Sequence, residues 1–157
     1  QAQGGTLFLD EVTEMPMDMQ PNLLRVLETK RVTPVGGTRE IDVNCRVISA
    51  SNRTIEQLAE GNIIREDVYF RLAVFPIHIP PLRDRKEDIP LLVDFFTTKI
   101  SQEQGTPKKG FSTQAIKLLQ EYDWTGNIRE LRNVVERLII LGEKEVSAND
   151  IKLFASK

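Results

Sequence analysis

The apolar positions of this chain indicate a layered α/β structure in its first part. The run Thr6 to Leu9 is apolar without alternation, as is typical of a strand buried on both faces of a parallel sheet, and Arg46 to Ser51 is a second core-type strand. Between them, the stretch Asp18 to Thr29 has the periodicity of an amphipathic helix. Its inward stripe consists of Leu23, Leu24 and Leu27.

Shorter patterns fill the chain around these predicted strands. Arg31 to Val35 and Glu40 to Val43 are strand-like and flank two consecutive glycines, which predicts a hairpin. Thr54 and Gln57 have the spacing of a helix capping box, in which each side chain bonds the other residue's backbone. A short helix is therefore predicted to begin at this point.

The pattern changes at a pair of prolines, Pro80 and Pro81. Before them, Arg65 to Ala73 reads as an amphipathic helix, and Val74 to Ile79 alternates like a strand near a sheet edge. After them only helical periods occur, so the sequence predicts an α/β part over residues 1–81 and an all-helical part over 82–157. The predicted helices of the second part are Lys86 to Gln104, Ser112 to Tyr122, Asn127 to Leu141 and Ser147 to Ala155.

Composition narrows the classes of function. The 21 Lys and Arg nearly balance the 23 Asp and Glu, so the net charge of −2 provides no general attraction to nucleic acid or to a membrane. Cys45 is the only cysteine and His78 the only histidine, which excludes an internal disulfide and a zinc site. No apolar run approaches the ~20 residues of a membrane span. We expect a cytoplasmic protein and, because the chain lacks an initial Met and meets a strand at once, a fragment.

Two acids follow the first predicted strand, Asp10 and Glu11, and Asn52 follows the second. Ligands of parallel α/β sheets bind beyond the carboxyl ends of the strands. In phosphoryl-transfer enzymes an Asp at such a place holds Mg²⁺, and a neighbouring carboxylate can orient the attacking water. Taken alone, the acidic pair is equally compatible with an ordinary turn after a strand.

Six longer strings occur along the chain: Gly4 to Glu11, Leu23 to Glu28, Ser49 to Arg53, Arg65 to Leu72, Pro80 to Ile89 and Trp124 to Leu131. In this order and spacing, they resemble the sigma-54-dependent transcription activators, a bacterial family of AAA+ ATPases. The resemblance implies the C-terminal half of the ATPase domain: an incomplete parallel-sheet core followed by a small helical lid. The parent protein would couple ATP hydrolysis to remodelling of the sigma-54 RNA polymerase closed complex.

By this resemblance, the acidic pair corresponds to the Walker B motif. Asp10 would hold Mg²⁺, usually through water, and Glu11 would polarise the attacking water. Asn52 corresponds to sensor I, whose amide can donate toward the γ-phosphate or the water. The family commonly has Thr where this chain has Ser51, so the hydroxyl is kept.

Arg65 and Arg71 match the arginine fingers of the family, which reach the ATP bound by an adjacent subunit. The guanidinium suits this role because it is always charged and binds two phosphate oxygens at once. A local alternative is that Asp67 and Arg71, four residues apart on a helix, form a surface ion pair. The two arginines are six residues apart and lie on different helix faces, so we expect separate roles for them.

Arg129 matches sensor II of the lid and lies outside the apolar stripe of its predicted helix. Ile128 resembles a position that packs near the adenine, although an ordinary core role explains it nearly as well. Trp124 is expected to anchor the lid core. The hairpin Arg31 to Val43 occupies the place of a surface loop that contacts sigma-54, and it equally suits an ordinary tight turn.

The sequence contains no Gly-rich loop ending in Lys and Ser or Thr, the element that grips phosphates. Nor does it contain the Gly-Ala-Phe-Thr-Gly-Ala loop of the family. We therefore expect the isolated chain to be inactive and not to bind Mg-ATP tightly. The expected partners are the sigma-54 RNA polymerase holoenzyme and neighbouring subunits of a homo-oligomeric ring, a hexamer or heptamer. DNA would be bound only through a missing C-terminal domain, and no membrane is expected.

Two alternatives remain. The chain could be a non-catalytic module for oligomerisation or partner docking within the same kind of protein. It could also belong to another AAA+ branch, such as a clamp loader or a Holliday-junction helicase. The strings Arg65 to Leu72 and Trp124 to Leu131 disfavour this second alternative.

Overall fold

A computed structural model of the chain describes residues 2–54, 57–58, 61, 63–142 and 145–155. The chain forms two compact units, Gln1–Ile77 and His78–Lys157. The first is the α/β unit and the second is the helical unit, in agreement with the predicted fold class.

Two parallel strands organise the α/β unit. Strand β1, Thr6–Leu9, pairs with strand β4, Arg46–Ser49, in the register Thr6 to Arg46 and Leu9 to Ser49. The pairing continues past the strand ends, since the Ala50 N–H donates to the Leu9 carbonyl at 2.9 Å. The parallel arrangement predicted from the two apolar runs is therefore confirmed.

The prediction that strand β1 is buried on both faces is wrong for this chain. Phe8 is 58% exposed and Leu7 is 39% exposed. Among the described residues, β4 is the only strand that pairs with β1, so few neighbouring side chains are available to cover the faces of this small sheet. The apolar side chains of β1 therefore remain open on part of their surface.

The segment after β1 leads into the first helix. A 3-10 turn at Val12–Glu14 precedes helix α1, Gln20–Thr29, which begins two residues later than predicted. Pro21 lies in the first turn, where its missing N–H has no helical partner to lose. Leu27 is buried as expected, and Gln20 at the start of the helix is buried as well.

The hairpin of the α/β unit is also formed, and so is the capping box predicted to begin a short helix at Thr54. Strands β2, Arg31–Val32, and β3, Ile41–Asp42, pair antiparallel and are shorter than predicted. The capping bonds of Thr54 and Gln57 are both present, at 3.0 and 3.3 Å. The rest of that short helix lies mostly outside the described residues. Helix α2 spans Glu66–Leu72.

The predicted strand at Val74 to Ile79 is not formed. This segment has no regular structure, and its four apolar side chains are 73 to 82% exposed. Alternating apolar residues make a segment suitable for a strand, but the strand itself requires a neighbour that accepts and donates backbone hydrogen bonds. No strand among the described residues pairs with this segment.

In the described residues of the helical unit, four α-helices surround one core. Helix α3 spans Ile89–Gln104, α4 Thr113–Glu121, α5 Asn127–Leu141 and α6 Ala148–Phe154. The bounds of α5 are those predicted; α3 begins later because Lys86–Asp88 forms a 3-10 turn. The largest fully buried apolar side chains are Leu82, Ile89, Leu119, Leu131, Leu138 and Ile151.

The caps of the helical unit follow the sequence. Ser112 accepts a hydrogen bond from the Ala115 N–H at 3.2 Å, and Ser147 and Asp150 form the predicted capping box. Such caps satisfy N–H groups that have no partner within the helix. None of the helices in the described part of the chain has the length and apolar character needed to cross a bilayer.

The helical unit is not purely helical, which corrects the prediction. Strand β5, Gly110–Phe111, pairs in parallel with strand β6, Glu145–Val146. The pairing continues from the Ser112 N–H to the Val146 carbonyl at 3.0 Å. Two-residue strands have no detectable hydrophobic period, so sequence periodicity could not reveal them.

Candidate functional site

The carboxyl ends of β1 and β4 lie side by side because the strands are parallel and in register. Asp10 and Glu11 follow β1 directly, and Asn52 lies three residues beyond the end of β4. All three side chains are exposed. We call these three residues the acidic edge. The structure thus brings the predicted hydrolytic pair and the predicted sensor to one edge of one sheet.

The backbone of Glu11 adopts a left-handed conformation, with φ 48° and ψ 44°. Such a conformation costs a non-glycine residue about 1 to 2 kcal/mol, so neighbouring interactions must hold it. One of these is local: the Glu11 N–H donates to Oδ1 of Asp10 at 3.0 Å. This bond orients the Asp10 carboxylate and ends strand β1 sharply.

Side-chain and backbone bonds tie the two strand ends together. The hydroxyls of Thr13 and Ser51 are 3.1 Å apart, and the Val12 N–H donates to the Ala50 carbonyl at 3.0 Å. The Ser51 hydroxyl also accepts from the Arg53 N–H at 3.0 Å. Thr13 is almost fully buried, so its contact with Ser51 is shielded from water. The bend that contains Asn52 is therefore anchored on both sides.

Arg65 lies immediately before helix α2 and pairs with Asp67. Its Nε and Nη2 atoms donate to the two carboxylate oxygens at 3.1 and 2.8 Å. The hydrogen bond from Arg65 lowers the pKa of Asp67, and the same bond raises the pKa of Arg65. A guanidinium carries five N–H donors, so three remain for another partner. Asp67 thus orients the Arg65 side chain without exhausting its donors.

Arg71 lies in the last turn of α2 and is exposed. The ion pair between Asp67 and Arg71, considered from the sequence, is not the one formed, because both oxygens of Asp67 bond to Arg65. Six residues of helix correspond to about 9 Å along the axis. The two arginines therefore lie at opposite ends of α2.

One residue that the sequence reasoning missed is Gln20. It is only 1% exposed and makes three hydrogen bonds through its amide. Its Nε2 donates to the carbonyls of Met15 at 3.1 Å and Ile63 at 2.9 Å, and its Oε1 accepts from the Arg65 N–H at 2.8 Å. The sequence did contain a signal for its burial. Gln20 lies three, four and seven residues before the leucines of the inward stripe, which places it on the same helix face.

In the helical unit, Arg129 lies in the first turn of α5 and is exposed. Ile128 beside it is half-buried and packs against the core of this unit. The entry to α5 is held by Asn127, whose Oδ1 accepts from the Leu82 N–H at 2.9 Å. Arg129 is thus accessible to a ligand, whereas Ile128 has at least a packing role.

Trp124 anchors the helical unit as predicted. It is 3% exposed, and its Nε1–H donates to the Leu119 carbonyl at 2.7 Å. A buried indole N–H needs such a partner. The residue therefore serves the core and has no donor left for a ligand.

Comparison with known families and proteins adds independent information. Residues 1–78 match the family described as the Sigma-54 interaction domain. Residues 83–155 match the family described as the AAA+ ATPase lid domain. The two matches meet between residues 78 and 83, close to the division between the two units.

Individual relatives agree. The chain is 49% identical over 140 residues to the DNA-binding transcriptional activator HyfR of Escherichia coli (strain K12), with 89% of this chain and 21% of HyfR covered. It is 46% identical over 151 residues to the DNA-binding transcriptional regulator NtrC of Azospirillum brasilense, with 96% of this chain and 31% of NtrC covered. The chain thus spans about a fifth to a third of these relatives.

A solved structure shows the same fold. The crystal structure of NtrX from Brucella abortus in complex with ATP matches with a TM-score of 0.87 at 40% identity. The match covers 95% of this chain and 36% of the NtrX chain. The two units described above therefore occur together in a known nucleotide complex of a related protein.

Proposed function

The chain belongs to the sigma-54-dependent transcription activators, a family of AAA+ proteins, and on that premise we propose that its acidic edge hydrolyses ATP within an assembled ring. The observation that carries the proposal is the convergence of Asp10, Glu11 and Asn52 at the carboxyl ends of two parallel strands. This is where α/β proteins bind their ligands. The ATP complex of the related NtrX supports a nucleotide as the substrate.

Asp10 is the residue we assign to Mg²⁺, through water. Mg²⁺ prefers oxygen ligands and usually keeps several waters, and an exposed carboxylate held by one backbone N–H fits this preference. Bound Mg²⁺ supplies neutralisation of the charge on the phosphates. The remaining chemistry rests on side chains of the protein.

Glu11 accepts a hydrogen bond from the attacking water and thereby orients it toward the γ-phosphate. The amide of Asn52 donates to a phosphate oxygen or to the same water. The bonds of Ser51 to Thr13 and Arg53 hold the Asn52 bend in place for this purpose. A phosphate-gripping loop has to come from chain outside these 157 residues.

Arg65 and Arg71 act on the ATP of a neighbouring subunit in the ring, a hexamer or heptamer. Their positions at opposite ends of α2 support separate contacts. The pairing of Arg65 with Asp67 leaves three N–H donors that can stabilise the charge of the transferring phosphoryl group. In the helical unit, Arg129 contacts the phosphates and Ile128 lies near the adenine of the nucleotide.

The output of hydrolysis is remodelling of the sigma-54 RNA polymerase holoenzyme in the bacterial cytoplasm. The hairpin of β2 and β3 presents an exposed loop at residues 33–40, with Val35 fully exposed. Salt bridges from Arg31 to Asp42 and from Arg25 to Glu40, both at 3.0 Å, fix the base of this loop. We propose it as the surface that contacts sigma-54. We assign no DNA contact to this chain.

A chimera tests the proposal: residues 2–155 replace the matching segment of Brucella abortus NtrX, and Mg-ATP hydrolysis is measured. Glu11→Gln should lower kcat by about 10²-fold or more, the usual contribution of a positioned general base. Glu28→Gln, an exposed glutamate on α1, is the matched control and should leave kcat within about twofold. A chimera that assembles and whose rate is unaffected by Glu11→Gln would instead support the docking-module alternative.

A further inference from the structure

The buried amide of Gln20 joins three segments of the α/β unit. Its three hydrogen bonds reach Met15, which follows the acidic pair, and Ile63 and Arg65, which precede helix α2. All three partners are backbone groups. Gln20 therefore fixes the path of the chain at these points, independently of the neighbouring side chains.

The bonds are a requirement of burial. An amide taken out of water is costly unless its donors and acceptor find partners. Gln20 is 1% exposed, and both its donors and its acceptor are used. An apolar residue of similar size would fill the same space without fixing any backbone group.

The acidic edge and the backbone at Arg65 depend on Gln20 to different degrees. The acidic edge has supports of its own: the Val12 N–H bonds Ala50, and Thr13 bonds Ser51. Arg65 is the N-cap of α2: its carbonyl accepts the first helical bond from the Tyr69 N–H at 2.9 Å, but its own N–H has no helical acceptor and bonds the Oε1 of Gln20. The backbone of Arg65 is therefore more dependent on Gln20 than the acidic edge is.

We propose that Gln20 is a positioning residue for Arg65: it holds the Arg65 backbone so that the guanidinium, oriented by Asp67, is presented to the adjacent subunit. This inference rests on the proposed role of Arg65 in trans. It predicts that loss of Gln20 impairs the active site of the neighbouring subunit and spares the acidic edge of its own.

The variant Gln20→Met tests the inference, because it keeps an unbranched side chain of similar length and removes the amide. The matched control is Gln120→Met in the helical unit, which removes one bond from Nε2 to the Lys86 carbonyl at 3.0 Å. In the chimera with NtrX, Gln20→Met should lower kcat by about 10²-fold, the effect expected from a misplacement of about 1 Å, and leave KM nearly unchanged. Gln120→Met should leave both constants unchanged.

Mixed rings separate positioning from a general structural defect. Subunits with Glu11→Gln have an inactive acidic edge, but their Arg65 and Arg71 are unchanged. Mixed in equal amounts with Gln20→Met subunits, they should restore roughly a quarter of the unmodified rate, since a quarter of the head-to-tail interfaces then combine an intact edge with an intact finger. A mixture as inactive as its two components would overturn the inference. Arg65→Ala mixed with Glu11→Gln is the reference, and its failure to recover activity would overturn the trans role of Arg65 instead.

Hydrogen exchange on the 157-residue chain itself provides a second measurement. Gln20→Met should speed exchange of the Arg65 amide by about tenfold or more, because its acceptor is lost, while amides of α5 in the helical unit keep their protection. Gln120→Met should leave the Arg65 amide unchanged. An Arg65 amide that stays equally protected in Gln20→Met would contradict the inference.

Discussion

The helical unit buries most of its apolar side chains in one core, although Leu91 and Ile140 remain exposed, whereas the α/β unit buries few of its own. In the helical unit, sixteen buried hydrophobic residues form one cluster. In the α/β unit, Val12, Leu27 and Val68 are the buried hydrophobic residues of the described chain, while Phe8 and Phe75 are largely exposed. Contiguous exposed apolar surface marks a place where another element or molecule packs.

This difference shows how each unit holds its functional residues. Where the core is thin, polar contacts determine the backbone: Gln20 and Thr13 are both nearly buried and bond to segments far apart in sequence. In the helical unit the exposed Arg129 lies on a helix that a large core already fixes. The α/β unit thus depends on a few specific hydrogen bonds, and the helical unit on packing.

The largest effect we expect is a complete absence of hydrolysis by the isolated chain. Neither unit contains a Gly-rich phosphate-gripping sequence, so the β- and γ-phosphates lack a cradle. Mg-ATP turnover, measured as phosphate release, should stay at background and tight binding should be absent by calorimetry, with the NtrX chimera as the positive control. Turnover that disappears in Glu11→Gln would show that the chain is sufficient by itself.

A matched pair of valine truncations compares the packing of the units directly. Val135 on α5 and Val68 on α2 are both fully buried. Val135→Ala should cost about 2 kcal/mol, because its neighbours in a large core cannot close the cavity, and Val68→Ala about 1 kcal/mol, because a thin core relaxes. Urea unfolding followed at each unit measures both values. Equal losses would mean that the two cores are equally rigid.

The smallest effect concerns the cap of α6 and its dependence on pH. The hydrogen bond from the Ser147 N–H lowers the pKa of Asp150 below its ordinary value of 3.8. A lowered pKa means that the carboxylate stabilises the folded state above the ordinary value, and that this contribution disappears as pH falls through the folded value. The increase in fraying of α6 as pH falls, followed by NMR, should therefore be greater in the unmodified chain than in Asp150→Asn. An identical acid response in both would contradict this assignment.

Much of the helical unit could be predicted from local sequence. The bounds of α5, the Ser112 cap and the Ser147 capping box were read from residue spacing and are confirmed. The predicted strand at Val74 to Ile79 is not formed. Alternation of apolar and polar residues shows which side chains would share a face, but it does not supply a neighbouring strand for the backbone hydrogen bonds. The chemical roles of the acidic edge and of the arginines remain predictions that the chimera can test.

Helices were determined by the sequence alone because their hydrogen bonds join residues four apart, and the parallel pair β1 and β4 could be predicted because strands without strict apolar–polar alternation are typical of parallel sheets. Only the tertiary structure decided that Asp67 binds Arg65, that β5 pairs with β6, and that Gln20 reaches Ile63. These contacts depend on how each segment folds against its neighbours. Spacing along the chain determines which residues share a helix face, but the partner of a buried amide is determined by segments more than forty residues away.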